Sequence, residues 1–134
     1  MTTDELNAFL ASEFPQSPCS VEAVGERAAT VRHRVGPAQL RPGGTVSGPV
    51  LMTTADVALY AALLGAIGKV PLAVTTNLNI NFMRKPSADR DIIGECRLMK
   101  VGRTLAVGEV WLYSEGQEEP VAHATGTYAI PPQR

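Results

Sequence analysis

A chain of 134 residues has the size of one compact domain, which argues against a second full core or a long repeat array. Its 45% hydrophobic and 19% charged residues suit an ordinary globule, and 12 basic residues against 13 acidic ones leave a net charge of −1. That balance argues against a nucleic-acid partner, which needs a basic excess or stripe, and 5% aromatic content provides no visible stacking platform for bases or sugars.

Thr2 and Glu5 stand at capping-box spacing, and Leu6, Phe9, Leu10 and Ala11 recur at helical intervals before Pro15, which predicts a short amphipathic helix over residues 2–14. Pro15, Ser17, Pro18 and Ser20 then form a connector. Residues 1–20 are therefore read as an N-terminal helix and connector, and residues 21–134 as the main domain. Residues 21–35 have the β-branched content of one or two strands interrupted at Gly25. Residues 36–49 carry Pro37, Pro42, Gly43, Gly44, Gly48 and Pro49, a density that predicts a loop without regular structure. Ser47 is the predicted N-cap of the next helix, with Pro49 in its first turn and an end at Gly65 or Gly68.

The apolar stretch over residues 50–67 approaches the length of a membrane span. Asp56 within it would cost roughly 2.5–3.5 kcal/mol on insertion, and the flanks lack orienting basic clusters, so the stretch reads as a helix buried in protein. Strand character follows over residues 73–83, 91–101, 103–113 and 121–130. In the first of these Thr76, Leu78, Ile80 and Phe82 alternate with Thr75, Asn77, Asn79 and Asn81, which predicts one buried and one polar face. Gly102 offers the tight turn of an antiparallel hairpin. One apolar helix followed by an antiparallel meander is an α+β layout, in which a sheet curls around the helix and buries it on most sides.

The acidic start at Asp4 and Glu5 lacks the basic-then-apolar order of a secretory signal, which predicts a cytoplasmic protein with no membrane association. Cys19 and Cys96 form no CxxC pair and are read as reduced thiols. GxGxxG, GxxxxGK[ST] and GxSxG are all missing. His33 and His123 have no nearby Cys at ligand spacing, so no metal site is predicted and both read as strand histidines with local hydrogen bonds.

Asp56 is the outlier, because a carboxylate in an apolar helix must be paired, protonated or useful. Thr53 and Tyr60, one turn to either side, are positioned to hydrogen-bond around it. A buried ion pair with an arginine from another segment, such as Arg41, is the rival account. At the helix start Ser47 and Gly48 present unpaired N–H groups where the macrodipole favours a developing negative charge. Gly48 and Asp56 are roughly 12 Å apart at ~1.5 Å rise per residue. If they act together, Asp56 must come from a second subunit whose helix runs antiparallel beside the first, so a catalytic role predicts an obligate dimer with two equivalent sites.

The run Gly44-Thr45-Val46-Ser47-Gly48-Pro49, Asp56 in the helix, residues 74–83, Gly102-Arg103-Thr104-Leu105-Ala106 and Ala122-His123-Ala124-Thr125-Gly126-Thr127-Tyr128 together resemble the hotdog-fold thioesterases of the phenylacetate-degradation (PaaI-like) type. The resemblance implies an antiparallel sheet wrapped around one long central helix and a homodimer able to pair again into a homotetramer. It implies hydrolysis of acyl-CoA thioesters with no metal and no cofactor, coenzyme A being part of the substrate. Asp56 is then the general base or nucleophile, and the Gly48 N–H polarises the thioester carbonyl. Thr75, on the polar parity of its strand beside Asn77, is the hydroxyl that positions water or acid. Substrate-binding roles fall to Arg41, Ser47, Thr75, Asn77 and Thr104, and contacts to the CoA phosphates to Arg84, Lys85, Lys100 and Arg103. Two departures stand out. The family usually has His-Gly-Gly where this chain has Ser47-Gly48-Pro49, and an upstream asparagine falls near Arg41 here. Arg41 then either binds an acidic acyl group or a CoA phosphate, or neutralises Asp56. The departures also motivate a second reading, a non-catalytic hotdog module that binds acyl-CoA or a protein partner. A hotdog hydratase is disfavoured, because such enzymes use a histidine in or near the central helix and residues 50–67 have none.

Overall fold

Thr2 caps the first helix, α1 (Thr3–Glu13), by accepting the Glu5 N–H at 3.2 Å while the Glu5 carboxylate accepts the Thr2 N–H at 2.9 Å. Such an exchange stabilises a helix start by about 1 kcal/mol. Leu6, Phe9 and Leu10 are buried, and the Asn7 side chain donates to Val21 O at 2.9 Å and accepts the Val21 N–H at 2.8 Å. The first helix therefore closes off part of the outer edge of the first strand. The computed structural model, which describes residues 1–132, continues with β1 (Cys19–Gly25), β2 (Ala28–His33), β3 (Leu40–Arg41), β4 (Thr45–Val46), α2 (Gly48–Ile67), β5 (Val74–Phe82), β6 (Ile92–Val101), β7 (Leu105–Ser114) and β8 (Ala122–Ala129).

Six strands form one sheet in the order β1-β2-β6-β7-β8-β5, every pair antiparallel, packed around α2. This is the α+β hotdog architecture. The loop over residues 36–49 is more regular than its composition predicts: Pro37–Gln39 make a 3₁₀ turn, and Leu40 and Arg41 pair with Val46 and Thr45 in a small hairpin. Pro42, Gly43 and Gly44 fall where this hairpin reverses, both glycines at positive φ, while Pro37 enters the 3₁₀ turn and Gly48 and Pro49 open the following helix.

The helix ends at Gly68, whose φ of 92° favours glycine and whose N–H donates to Leu64 O. It packs closely because three strands leave room for it. A Cβ at Gly108 would lie 2.8 Å from Leu59 Cδ2, one at Gly126 2.5 Å from Leu59 Cδ1, and one at Gly94 3.0 Å from Thr54 Cγ2. Leu51, Leu59, Leu63 and Leu64 are buried in consequence. One stripe of α2 stays open: Pro49, Met52, Thr53, Asp56 and Val57 follow helical spacing and are exposed or half-buried. The helix is the one among the described residues long and apolar enough to cross a membrane, and it is the core helix of this domain.

Both cysteines are free and buried, and burial pushes the Cys96 thiol up to about 12. His33 is buried with Nδ1 2.8 Å from Arg34 O, and burial lowers its pKa. His123 Nε2 lies 2.8 Å from Glu109 Oε1. Both histidines thus have the local partners expected of them.

Candidate active site

Asp56 lies on the open stripe of α2 and reaches across to two strands. The Thr75 hydroxyl of β5 donates to Asp56 Oδ1 at 2.6 Å, and the Tyr128 hydroxyl of β8 donates to the same oxygen at 2.7 Å. Among the described residues Oδ2 accepts no hydrogen bond. Burial first, and then the neighbouring carboxylate, push the Tyr128 phenol well above its usual range, so it remains a donor.

The backbone explains how Thr75 arrives there. Thr75 pairs with Tyr128 and Asn77 with Thr127, which leaves Thr76 as the extra residue of a bulge. A bulge shifts side-chain parity, so Thr75 joins Leu78, Ile80 and Phe82 on the face that meets Tyr128, Gly126, Ala124 and Ala122. Strict alternation across residues 75–82 is therefore corrected. Thr75 is not beside Asn77 on one polar face, and Asn77 instead accepts from Asn79 at 3.1 Å. The expected burial of the apolar face also fails, because β5 is an outer strand and Phe82 is 53% exposed.

The donors expected from α2 itself are corrected too. Tyr60 OH donates to Pro71 O at 3.2 Å instead of to Asp56, and Thr53 stands beside the carboxylate without bonding it. Arg41 is exposed on the β3–β4 hairpin and makes no ion pair with Asp56 among the described residues. Within one chain, then, the described residues supply no ion-pair partner for Asp56.

Gly48 is the first residue of α2, and its N–H has no acceptor four residues back. A Cβ there would sit 3.4 Å from the Phe82 ring. Ser47 occupies the N-cap position without a side-chain capping bond, and the unpaired N–H expected of it is corrected: it donates to Gln39 O at 2.9 Å, which leaves the Gly48 N–H as the donor at this end. Arg84 and Lys85 follow β5 at this end, Arg84 bonding Pro120 O and Glu119. Lys100, Arg103 and Thr104 lie at the β6–β7 turn, where Ile130 N–H donates to Thr104 O at 2.8 Å. That turn is at the Tyr128 end of the sheet, so one chain does not bring Arg103 and Thr104 together with Arg84 and Lys85.

A cavity of about 880 Å³ opens beside Asp56, with Thr53, Thr75 and Tyr128 on its polar side and apolar groups from α1, α2 and β5 around the rest. The part played by α1 has no signal in the sequence, because the walls meet only through tertiary packing. No group of three or more His, Cys, Asp or Glu that could hold a metal ion occurs among the described residues.

Residues 43–121 match the model of the thioesterase superfamily, a span that includes Gly48, Asp56 and Thr75. A candidate thioesterase from Silicibacter sp. TM1040 is similar over 98% of this chain and 93% of its own, at 50% identity and a TM-score of 0.91. Zebra fish thioesterase superfamily member 2 shares the fold at 21% identity and a TM-score of 0.86, over 98% of this chain and 99% of its own. The Escherichia coli PaaI protein of the phenylacetic acid degradation operon does so at 19% identity and 0.81, over 97% of this chain and 94% of its own. None of the curated proteins matches. With the family model covering more than half the chain, on a hotdog scaffold with a hydroxyl-held carboxylate on its central helix, the chain belongs to the thioesterase superfamily of thioester hydrolases.

Proposed function

We propose that the protein hydrolyses acyl-CoA thioesters in a site shared between two copies of the chain. The observation that carries this reading is the one-sided hydrogen bonding of Asp56: two hydroxyls hold Oδ1 and leave Oδ2 to act. Oδ2 either takes a proton from the attacking water or attacks the thioester carbon itself. The partner subunit's Gly48 donates its N–H to the carbonyl oxygen, where the positive end of α2 favours the developing charge. In the first route collapse of the tetrahedral intermediate breaks the C–S bond, the proton held by Asp56 passes to the departing thiolate, and the carboxylic acid and CoA thiol are released. In the second, collapse expels the thiolate and leaves an acyl anhydride on Asp56, which a water hydrolyses to the carboxylic acid and the free carboxylate, one proton of that water going to the thiolate. The reaction as proposed uses no metal or cofactor.

Support for the second copy comes from β5. It is an outer strand nine residues long, with Val74 and Phe82 exposed, and Leu72 and Met83 exposed just beyond its ends. The exposed Met52 on the open stripe of α2 extends this apolar surface. A long bare edge of this kind is a template for strand pairing, and a two-fold axis beside it would set two α2 helices antiparallel. To the CoA phosphates we assign Arg84 and Lys85, just past Phe82, whose ring stands next to Gly48, and Arg41, which makes no ion pair with the Asp56 of its own chain among the described residues. Arg103 and Thr104 join them only from the other copy. Buried, unpaired Cys19 and Cys96 suit a cytoplasmic setting.

A thiol-release assay over a panel of acyl-CoA esters tests the reading. Wild type is expected to turn over, and Asp56→Asn to lower kcat by about 10²–10⁴-fold. Undiminished turnover in Asp56→Asn contradicts the role given to Asp56, and tight CoA-ester binding without turnover in wild type favours a binding module.

A further inference from the structure

Residues 10–18 lie outside the segment matched by the family model, yet they wall the cavity that contains Asp56. Leu10, Phe14, Pro15 and Pro18 form one side, and Val57, Tyr60 and Val74 stand among the groups of the other. Phe14 is the C-cap of α1 and remains 47% exposed, its ring edge-on to Tyr60 at 6.0 Å and to Phe9 at 6.5 Å. The wall is anchored, not loose. Leu6, Phe9 and Leu10 are in the core, Asn7 grips Val21, and Ser17 N–H donates to Phe14 O at 3.0 Å while Ser17 Oγ accepts the Cys19 N–H at 3.2 Å.

Polarity is distributed unevenly around this space. Thr53, Thr75, Tyr128 and the acting carboxylate gather at the Asp56 end, and the surfaces beyond them are mostly aliphatic or aromatic, with Glu13, Gln16 and Ser17 as the polar groups of the far wall. Among the described residues Glu13 is the other charged residue in the lining, and no lysine or arginine of the same chain contributes to it. An acyl group whose carbonyl lies at Asp56 would therefore run its tail between Val57 and Tyr60 toward Phe14. A terminal carboxylate on that tail would meet Glu13 without a cation to pair with.

We infer that the last turn of α1 and the connector behind it are the acyl-selecting wall of the site, which takes apolar acyl chains and rejects acyl groups ending in a carboxylate. The inference rests on the acyl-CoA reading above and adds its substrate class.

Non-hydrolysable thioether analogues of acetyl-, octanoyl- and succinyl-CoA, titrated calorimetrically, separate acyl selection from catalysis. Wild type is expected to bind the octanoyl analogue at least about tenfold more tightly than the acetyl analogue, through burial of the added methylenes, and the succinyl analogue no more tightly than the acetyl one. Phe14→Ser should abolish most of the octanoyl preference while changing acetyl-analogue affinity by less than about twofold, and Phe14→Leu should retain it. An octanoyl preference unchanged in Phe14→Ser overturns the inference, as does a wild type that binds neither analogue or favours the succinyl one. Hydrolysis of the parent esters, followed in parallel, judges the other reading separately. Turnover with no role for Phe14 removes only the wall, and Phe14-dependent binding without turnover removes only the hydrolysis.

Discussion

Asp56 is the only charged residue on α2, and its chemistry is set by two hydroxyls that come from strands far away in the chain. The carboxylate was legible in the sequence because a charge in an apolar helix demands a reason. Tyr128 was not, since an inward residue of a strand carries no mark of which helix side chain it will meet. Thr75 was legible as a hydroxyl, but its aim depends on the bulge at Thr76, and the run Thr75-Thr76-Asn77 has no glycine to announce one. Tyr128→Phe preserves the ring, including its packing 6.0 Å from Tyr60, and removes only the hydroxyl, which bonds Oδ1 at 2.7 Å and approaches the Asp56 carbonyl oxygen at 3.2 Å. Loss of one hydrogen bond to a charged acceptor should lower kcat roughly tenfold with KM and melting temperature little changed. Steady-state kinetics check this, and an unchanged kcat would show that Thr75 alone holds the carboxylate.

The elements were the most readable level. Period-2 and helical patterns, a capping box and the glycines at 68 and 102 located α1, α2 and the meander. The β3–β4 hairpin was hidden because two-residue strands have no periodicity to detect. The exposed β5 misled for a different reason: its apolar residues look like a core face, yet within one chain much of that face has nothing to cover it. Nor did the sequence distinguish glycines that shape turns from Gly94, Gly108 and Gly126, which make the groove that seats Thr54 and Leu59. Gly126→Ala would force Leu59 off its position, with Asn77 O already 3.2 Å from the added carbon. Denaturant unfolding should show a loss of about 1–3 kcal/mol from this overpacking. Wild-type stability in that variant would mean that α2 can lift from the sheet without cost.

For the whole molecule, the decisive feature is separation. Gly48 and Asp56 belong to one helix but stand roughly 12 Å apart along it, and the bare β5 edge beside them suits a second copy. A net charge of −1 is compatible with this, because a few basic residues at strand ends suffice for the phosphates of one CoA. Two singly disabled variants test whether the site is shared. Asp56→Asn removes the acting carboxylate, and Gly48→Pro removes the N–H in a first-turn position that tolerates proline, after a Ser47 already extended at ψ 153°. Each alone should be nearly inactive. Random mixing makes half the dimers mixed, and each of these carries one complete site, so co-refolded protein should recover about a quarter of wild-type hydrolysis. A mixture no more active than its components would contradict a site built from the partner subunit's Gly48 and this chain's Asp56.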